Sequence, residues 1–325
     1  MRDFPRPVVF ASRCLGFAEC RWNGATIPDA FVESLKPYVE FITACPEVEI
    51  GLGVPREPIR IIEDKGAQRL YQPATGRDVS EDMTRFSVRL LDSLGQVDGF
   101  VLKSRSPSCG FKDVKIYPRE GKVAATTGKG RGFFGGAVIE RFAHKAIEDE
   151  ARLADFHIRE WFLAKLFMLA DFRAARSKGD MRDMVDFHSR NKLAIMAASQ
   201  KALSALGKIV ANHERLPAAD VFAGYGDALG AALARAPGYK RNINVLMHAF
   251  GYFSDHLSKE EKGYFLETLE RYRESRVPLS VPLHMMRGFI VRFKNDYLGN
   301  QTFFEPYPED LITVTDSGKG RERRG

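Results

Sequence analysis

The sequence predicts an α/β N-terminal domain, doubly wound on a mostly parallel sheet, followed by an all-α C-terminal domain. Three observations predict it. Short apolar runs of strand length alternate with segments of helical period through about residue 155. Beyond that point the apolar residues recur only at helical spacing. A chain of 325 residues, 44% of them hydrophobic, is also comfortable for two cored domains. The expected division is an α/β domain over 1–155, a connecting helix over 156–178, an all-helical module over 179–312 and a disordered tail over 313–325.

Taken in order, Pro7-Val8-Val9-Phe10-Ala11-Ser12 reads as a buried strand that delivers Cys14 onto a loop, and a short helix is expected over Ile27 to Lys36. Val39-Glu40-Phe41-Ile42-Thr43-Ala44 is a second strand and delivers Cys45. Gly51-Leu52-Gly53-Val54-Pro55-Arg56-Glu57-Pro58 can continue neither a helix nor a central strand, so it is a loop over the strand ends. Ser80 is the expected N-cap of a helix reaching about Leu94, with acidic residues in its first turn and Phe86, Leu90, Leu91 and Leu94 on one face. Asp98-Gly99-Phe100-Val101-Leu102 is a third strand, ending in Lys103-Ser104-Arg105-Ser106-Pro107-Ser108-Cys109-Gly110. Gly128 to Gly136 is a glycine-rich loop carrying Lys129 and Arg131 ahead of a helix over Ala137 to Ile147. Cations before a helix start can hold phosphate, although the spacing matches neither a P-loop nor a dinucleotide fingerprint.

In the second half, one helix is expected over Asp183 to Asn212, a third over Asp220 to Arg235 and a fourth over Lys240 to Leu257. Ser258-Lys259-Glu260-Glu261 is a capping box opening a fifth helix, and a sixth is expected over Leu283 to Phe293.

In a parallel α/β sheet the carboxyl ends of the strands converge on one crevice, so Cys14, Cys45 and Cys109 are expected to meet there. Buried structural thiols are the common fate of free cysteine, but these three sit on loops beside Gly, Pro or polar residues. Zinc usually declares itself by paired Cys-x2-Cys spacing, and no such pair occurs. Three isolated thiolates fit an iron–sulfur cluster better, and with three protein ligands a four-iron cluster leaves one iron open. Cys20, six residues after Cys14, ranks behind the other three as a ligand. Glu47 stands two residues after Cys45, as a turn cap or as a general acid or base. Ser106 and Ser108 are turn residues or substrate hydrogen-bonding groups, and Arg56 and Arg105 are exposed or hold an anion.

The formal net charge is +7, and slightly more than half of that excess falls in residues 177–325. Lys240, Asn244 and His248 share a helix face by their i, i+4 spacing, with Arg190, Lys192, Arg241, Arg287 and Arg292 adding positive charge. Such a face is an ordinary solvated surface or a seat for a polyanion. No apolar run is long enough to span a bilayer and no leader pattern opens the chain, so a cytoplasmic protein with no membrane partner is expected.

The motifs Ser12-Arg13-Cys14-Leu15-Gly16, Cys20-Arg21-Trp22-Asn23-Gly24, Cys45-Pro46-Glu47-Val48, Pro55-Arg56-Glu57-Pro58 and Ser106-Pro107-Ser108-Cys109-Gly110 together resemble the thiouracil desulfurase family over roughly residues 5–150. The helical half resembles the module often fused behind that domain, in Asn244-Val245-Leu246-Met247-His248, Gly251-Tyr252-Phe253 and Pro278-Leu279-Ser280-Val281-Pro282-Leu283. The two-domain arrangement is similar to that of tRNA 4-thiouridine desulfurases. One departure is that single-domain members tend to have Cys-Leu-Leu-Gly and Arg-Tyr-Asp-Gly where this chain has Cys-Leu-Gly-Phe and Arg-Trp-Asn-Gly. The resemblance implies a [4Fe-4S] cluster on Cys14, Cys45 and Cys109 with one iron not bound by protein. It also implies redox-neutral removal of sulfur from a thiolated pyrimidine. The expected substrate is 4-thiouridine in tRNA, with Glu47, Ser106 and Ser108 as catalytic residues and Lys129, Arg131, Lys240, Arg241 and His248 as RNA contacts. The alternatives are free thiouracil as substrate, or an iron–sulfur RNA-binding protein that catalyses nothing.

Overall fold

The computed structural model describes residues 3–64, 66–118 and 126–312. The expected tail over 313–325 lies outside the described residues. Two compact units are present, one built on Pro5–Ala170 and one on Asp171–Glu309.

The first unit contains two sheets. Strands β1 (Val8–Ser12), β2 (Glu40–Ala44), β6 (Gly99–Leu102) and β9 (Ala146–Asp149) form a four-stranded sheet in the order β2-β1-β6-β9, parallel throughout. Near-continuous burial of β1 and β6 is what a parallel sheet covered on both faces demands. The second sheet is mixed, in the order β5-β4-β3-β7-β8, from β3 (Arg60–Asp64), β4 (Ala67–Gln72), β5 (Arg77–Asp78), β7 (Val114–Tyr117) and β8 (Gly128–Gly130). Here β3 pairs antiparallel with β4 and parallel with β7.

The helices of this unit begin where their caps sit. Helix α1 (Ala30–Leu35) starts after Asp29, whose carboxylate accepts from the Val32 amide at 2.9 Å, so it is shorter than the expected 27–36. Helix α2 (Pro46–Glu49) follows Cys45 directly. Helix α3 (Ser80–Ser93) has Val79 at its N-cap, not Ser80. The Ser80 hydroxyl instead accepts from the Leu70 amide at 2.7 Å and donates to Asp78 at 2.6 Å, tying the helix start to β4.

Helix α4 (Phe133–Phe142) starts four residues earlier than expected. The glycine-rich loop is therefore part strand and part helix. Its glycines exist for contact: a Cβ on Gly132 would lie 2.5 Å from the Ser108 carbonyl, and one on Gly135 would lie 2.4 Å from that of Cys109. The Phe133 amide donates to the Pro107 carbonyl at 3.1 Å and the Gly135 amide to that of Ser108 at 3.0 Å. Those helix-terminal donors are consumed by the 106–110 turn and are not offered to a phosphate. The core beneath joins Phe10, Phe86, Phe100 and Phe134, with the Phe10 and Phe134 rings 5.3 Å apart.

Helix α5 (Glu150–Leu153) leads into the long helix α6 (Phe156–Lys178), and the boundary between the units falls inside α6. The regular elements among the described residues of the second unit are all helices, the longer ones being α7 (Met181–Ala198), α8 (Gln200–Ala211), α9 (Ala218–Ala232), α10 (Tyr239–Phe250), α11 (Lys259–Arg273) and α12 (Ser280–Phe293), with the short α13 (Asp296–Gly299) after them. The single helix expected over 183–212 is two helices. Ser199 adopts extended backbone and its hydroxyl accepts from the Ala202 amide at 3.1 Å, capping α8. The fourth helix ends at Phe250, and Phe253 and Leu257 reach the core from the turns after it. The Ser258/Glu261 capping box opens α11 with both reciprocal bonds made.

Two substitutions read these contacts. Phe134→Ala removes a fully buried ring and is expected to cost about 3–5 kcal/mol in denaturant unfolding. Gly135→Ala forces a methyl into backbone atoms and is expected to cost about 1–3 kcal/mol by the same measurement.

Candidate metal centre

Parallel pairing puts the carboxyl ends of β1, β2 and β6 on one edge of the sheet, with Ser12 beside Ala44 and Ala11 beside Val101. Each strand then hands over a cysteine. After β1 the chain turns at Leu15, whose amide donates to the Ser12 carbonyl at 2.9 Å, and passes through Gly16 at φ +81°. That left-handed backbone favours glycine, which has no Cβ to strain it. After β2, Cys45 is the N-cap residue of α2, with Pro46 at the first helical position. After β6, the Ser106–Gly110 turn closes with the Gly110 amide donating to the Ser106 carbonyl at 2.9 Å.

The structure brings all four cysteines into this region, each less than a tenth exposed. Sequence reasoning ranked Cys20 behind the rest, yet the thiols of Cys14 and Cys45 act on it, and the Cys45 thiol donates to the Cys20 carbonyl at 3.5 Å. No sequence spacing signals this; the 14–27 loop folds back, with the Ile27 amide donating to the Cys14 carbonyl at 2.8 Å. Cys109 is close enough to Cys45 and Glu47 for their charges to act on it, and its sulfur lies 3.9 Å from the Ser108 hydroxyl.

The thiols of Cys20, Cys45 and Cys109 resist ionisation. The hydrogen bond with Cys14 raises the pKa of Cys20, despite an opposing one with Cys45. The hydrogen bond with Cys20, then burial, pushes Cys45 well above its ordinary range. Burial above all pushes Cys109 up to about 12. Buried thiols set against one another are a poor arrangement for thiolates alone, and a cation that they ligate relieves the cost. Among the described residues no three His, Cys, Asp or Glu close round a point where one metal ion could sit. A zinc site needs its sulfurs about 2.3 Å from a single centre. Buried thiol donors are what a multi-iron cluster takes, each on a different iron.

Beside the thiols runs a hydrogen-bonded line of three of the predicted residues. The Ser108 hydroxyl donates to Glu47 Oε1 at 2.6 Å and lies 2.9 Å from the Ser106 hydroxyl. The Ser106 oxygen accepts from the Cys109 and Ser108 amides at 3.1 and 3.3 Å. A carboxylate has no hydrogen to give, so Ser108 spends its own on Glu47 and Ser106 donates to Ser108. The line has one direction, from Ser106 through Ser108 to Glu47. Glu47 Oε2 is held by Arg56, whose side chain is only 4% exposed. Arg56 is therefore not exposed, and the anion that it holds is the chain's own Glu47 carboxylate. Arg105 is exposed, at φ +56°.

A second carboxylate steadies the strand end leading into this turn. Glu150 accepts from the Lys103 ammonium at 2.5 Å, the Ser104 amide at 2.8 Å and the Ser104 hydroxyl at 2.6 Å. Sequence reasoning missed this bridge, because its partners are 46 and 47 residues apart.

The basic residues fall into two groups. Lys129 is exposed on β8 with Asp113 at 3.9 Å, and Arg131 is exposed before α4. On α10, Lys240, Asn244 and His248 form one exposed face, as the spacing predicts. Arg241, also exposed, has its guanidinium donating to the Ala198 carbonyl. Arg190, Arg287 and Arg292 are ion-paired with Asp171, Glu309 and Glu261, so they add less free charge than a count implies. Among the described residues no helix is long and apolar enough to cross a membrane.

Residues 9–150 match the family model described as 2-thiouracil desulfurase, and residues 192–308 match one described as a protein of unknown function, DUF1722. Uncharacterized protein YbbK of Bacillus subtilis (strain 168) is 33% identical over 110 residues, spanning 32% of this chain and 73% of that protein. Uncharacterized protein YbgA of Escherichia coli (strain K12) is 29% identical over 158 residues, spanning 48% of this chain and 93% of that protein. A solved structure described as [4Fe-4S]-dependent thiouracil desulfidase TudS aligns at 25% identity over 46% of this chain and 93% of that one, with a TM-score of 0.36. The assignment rests on sequence: through residues 9–150, the chain belongs to the 2-thiouracil desulfurase family.

Proposed function

We propose that this protein removes sulfur from 4-thiouridine in tRNA, giving uridine and sulfide by redox-neutral hydrolysis at a [4Fe-4S] cluster on Cys14, Cys45 and Cys109. The observation that carries the reading is the line from Ser106 through Ser108 to Glu47, ending beside buried thiols at the sheet's carboxyl edge. A cluster with one iron free of protein ligands would supply a sulfur-seeking Lewis acid to polarise the thiocarbonyl.

The remaining chemistry belongs to the chain. Replacing C=S by C=O consumes one water and releases one hydrogen sulfide, so no electrons are needed but protons must move. Glu47 is the residue to take the proton from the attacking water, since it is the carboxylate at the end of the line. Ser108 and Ser106 keep that carboxylate oxygen aligned and can return a proton to the departing sulfur. For a base within tRNA, the nucleotide must turn outward to reach the crevice. The exposed Lys240, Arg241 and His248 of α10 and, in the α/β unit, the exposed Lys129 and Arg131 support a polyanionic carrier. The family description favours free thiouracil as the second reading, with the same site and no role for the basic face.

Oxygen-free reconstitution followed by tRNA containing 4-thiouridine is expected to yield sulfide and uridine in equal amounts, both abolished in Cys109→Ala. Glu47→Gln is expected to keep its iron content while kcat falls about 10²–10⁴-fold, measured by sulfide release. Sulfide from free thiouracil but none from tRNA moves the assignment to the second reading. Replacing Lys240, Arg241 and His248 together by Ala is expected to weaken tRNA binding. The slope of log affinity against log salt should flatten by about 0.7–0.9 for each phosphate that is no longer neutralised, measured by titration at several salt concentrations.

A further inference from the structure

The Arg56 guanidinium has five N–H groups, and the structure engages every donor nitrogen. Nε donates to Glu47 Oε2 at 2.8 Å, and Nη2 reaches that same oxygen at 2.8 Å and Cys45 Sγ at 3.9 Å. Nη1 donates to the Cys20 carbonyl at 3.0 Å and the Gly53 carbonyl at 2.9 Å. The Arg56 amide donates to the Trp22 carbonyl at 2.8 Å. With five donors and five contacts, nothing remains to hold a substrate anion. The use of Glu47 is selective. The Nε hydrogen bond and the Nη2 ion-pair contact both fall on Oε2, which leaves Oε1 to receive the Ser108 hydroxyl.

We propose that Arg56 is the positioning residue of this site. It acts through Glu47, fixing which carboxylate oxygen faces Ser108, and it binds the Cys14–Trp22 loop, helix α2 and the Gly51–Pro58 loop to one another around that carboxylate. The inference rests on the desulfidase reading given above. Lysine cannot substitute: an ammonium offers three donors from a single point, without the planar fork that reaches a carboxylate and two carbonyls together.

The test is a double-mutant cycle on the reconstituted full-length chain, with Arg56→Lys, Arg56→Gln, Glu47→Gln and the double variant Arg56→Gln/Glu47→Gln. Sulfide release, cluster iron content and unfolding are measured for each. The expected result is iron content near wild type, KM within about twofold and kcat reduced about 10–1000-fold for both Arg56 variants. In the Glu47→Gln background, Arg56→Gln is expected to cost less than about a further twofold, because the group it serves is already gone. Losses that multiply in the double variant overturn the proposal. So does a raised KM at unchanged kcat, which would make Arg56 a substrate-binding group. Iron loss that accounts for the fall in kcat overturns it as well, reducing Arg56 to a cluster-loop scaffold. Arg56→Lys keeps these arms readable if Arg56→Gln does not fold. If the wild-type chain releases no sulfide from any thiolated pyrimidine, the desulfidase reading fails by itself. The clamp is then read from unfolding of the cluster-free protein. There, non-additivity of the two substitutions by a factor of at least about five in the unfolding constant supports it, and additivity overturns it.

Discussion

The geometry of the site depends on one close backbone contact, the seating of the Ser106–Gly110 turn against the first residues of α4. The amides of Phe133 and Gly135 bond the carbonyls of Pro107 and Ser108, while Gly132 and Gly135 approach too near to carry any side chain. That contact fixes the path of the turn. The path then sets where Cys109 lies and how Ser106 and Ser108 face one another. Helix-terminal amides that elsewhere bind phosphate are here spent on organising a protein loop. The glycine-rich segment is thus a structural partner of the site, and its resemblance to an anion-binding loop is only compositional.

Around this contact, the site is assembled from three strand ends that share no local sequence. Parallel pairing of β1 with β2 and β6 aligns the three, and the burial of β1 and β6 keeps the register from slipping. The cost of crowding buried thiols is only partly relieved by the thiols themselves: Cys14 raises the pKa of Cys20 and Cys20 that of Cys45, while Cys45 opposes the rise at Cys20. Such an arrangement is sensible where a cation is the intended occupant. The carboxylate line beside it is held from both ends, by Arg56 at one oxygen and Ser108 at the other. A residue gripped in that way loses little entropy when a substrate arrives, which is the structural form of preorganisation.

Much of the frame was legible in the sequence. The three strands that carry Cys14, Cys45 and Cys109 were visible as short apolar runs, because a buried parallel strand is apolar on both faces. The capping box at Ser258 was visible because it is a contact between residues three apart. The break at Ser199 was missed because apolar spacing continues across it, and only backbone geometry separates α7 from α8. The mixed sheet was missed because its defining pairs, such as Ile61 with Ile116, join residues far apart in the chain.

The sequence by itself determined the chemistry available to this protein: four thiols, a Cys-Pro-Glu step, two serines flanking a proline, and strand-like runs to carry them to one edge. Local residue type and period suffice for that. The tertiary structure alone decided who partners whom. It brought Cys20 to Cys14 and Cys45, turned Arg56 inward onto Glu47, and gave the donors at the start of α4 to the 106–110 turn. Each of these outcomes depends on the competition among distant groups for hydrogen-bond partners during burial, and a linear pattern carries no record of that competition.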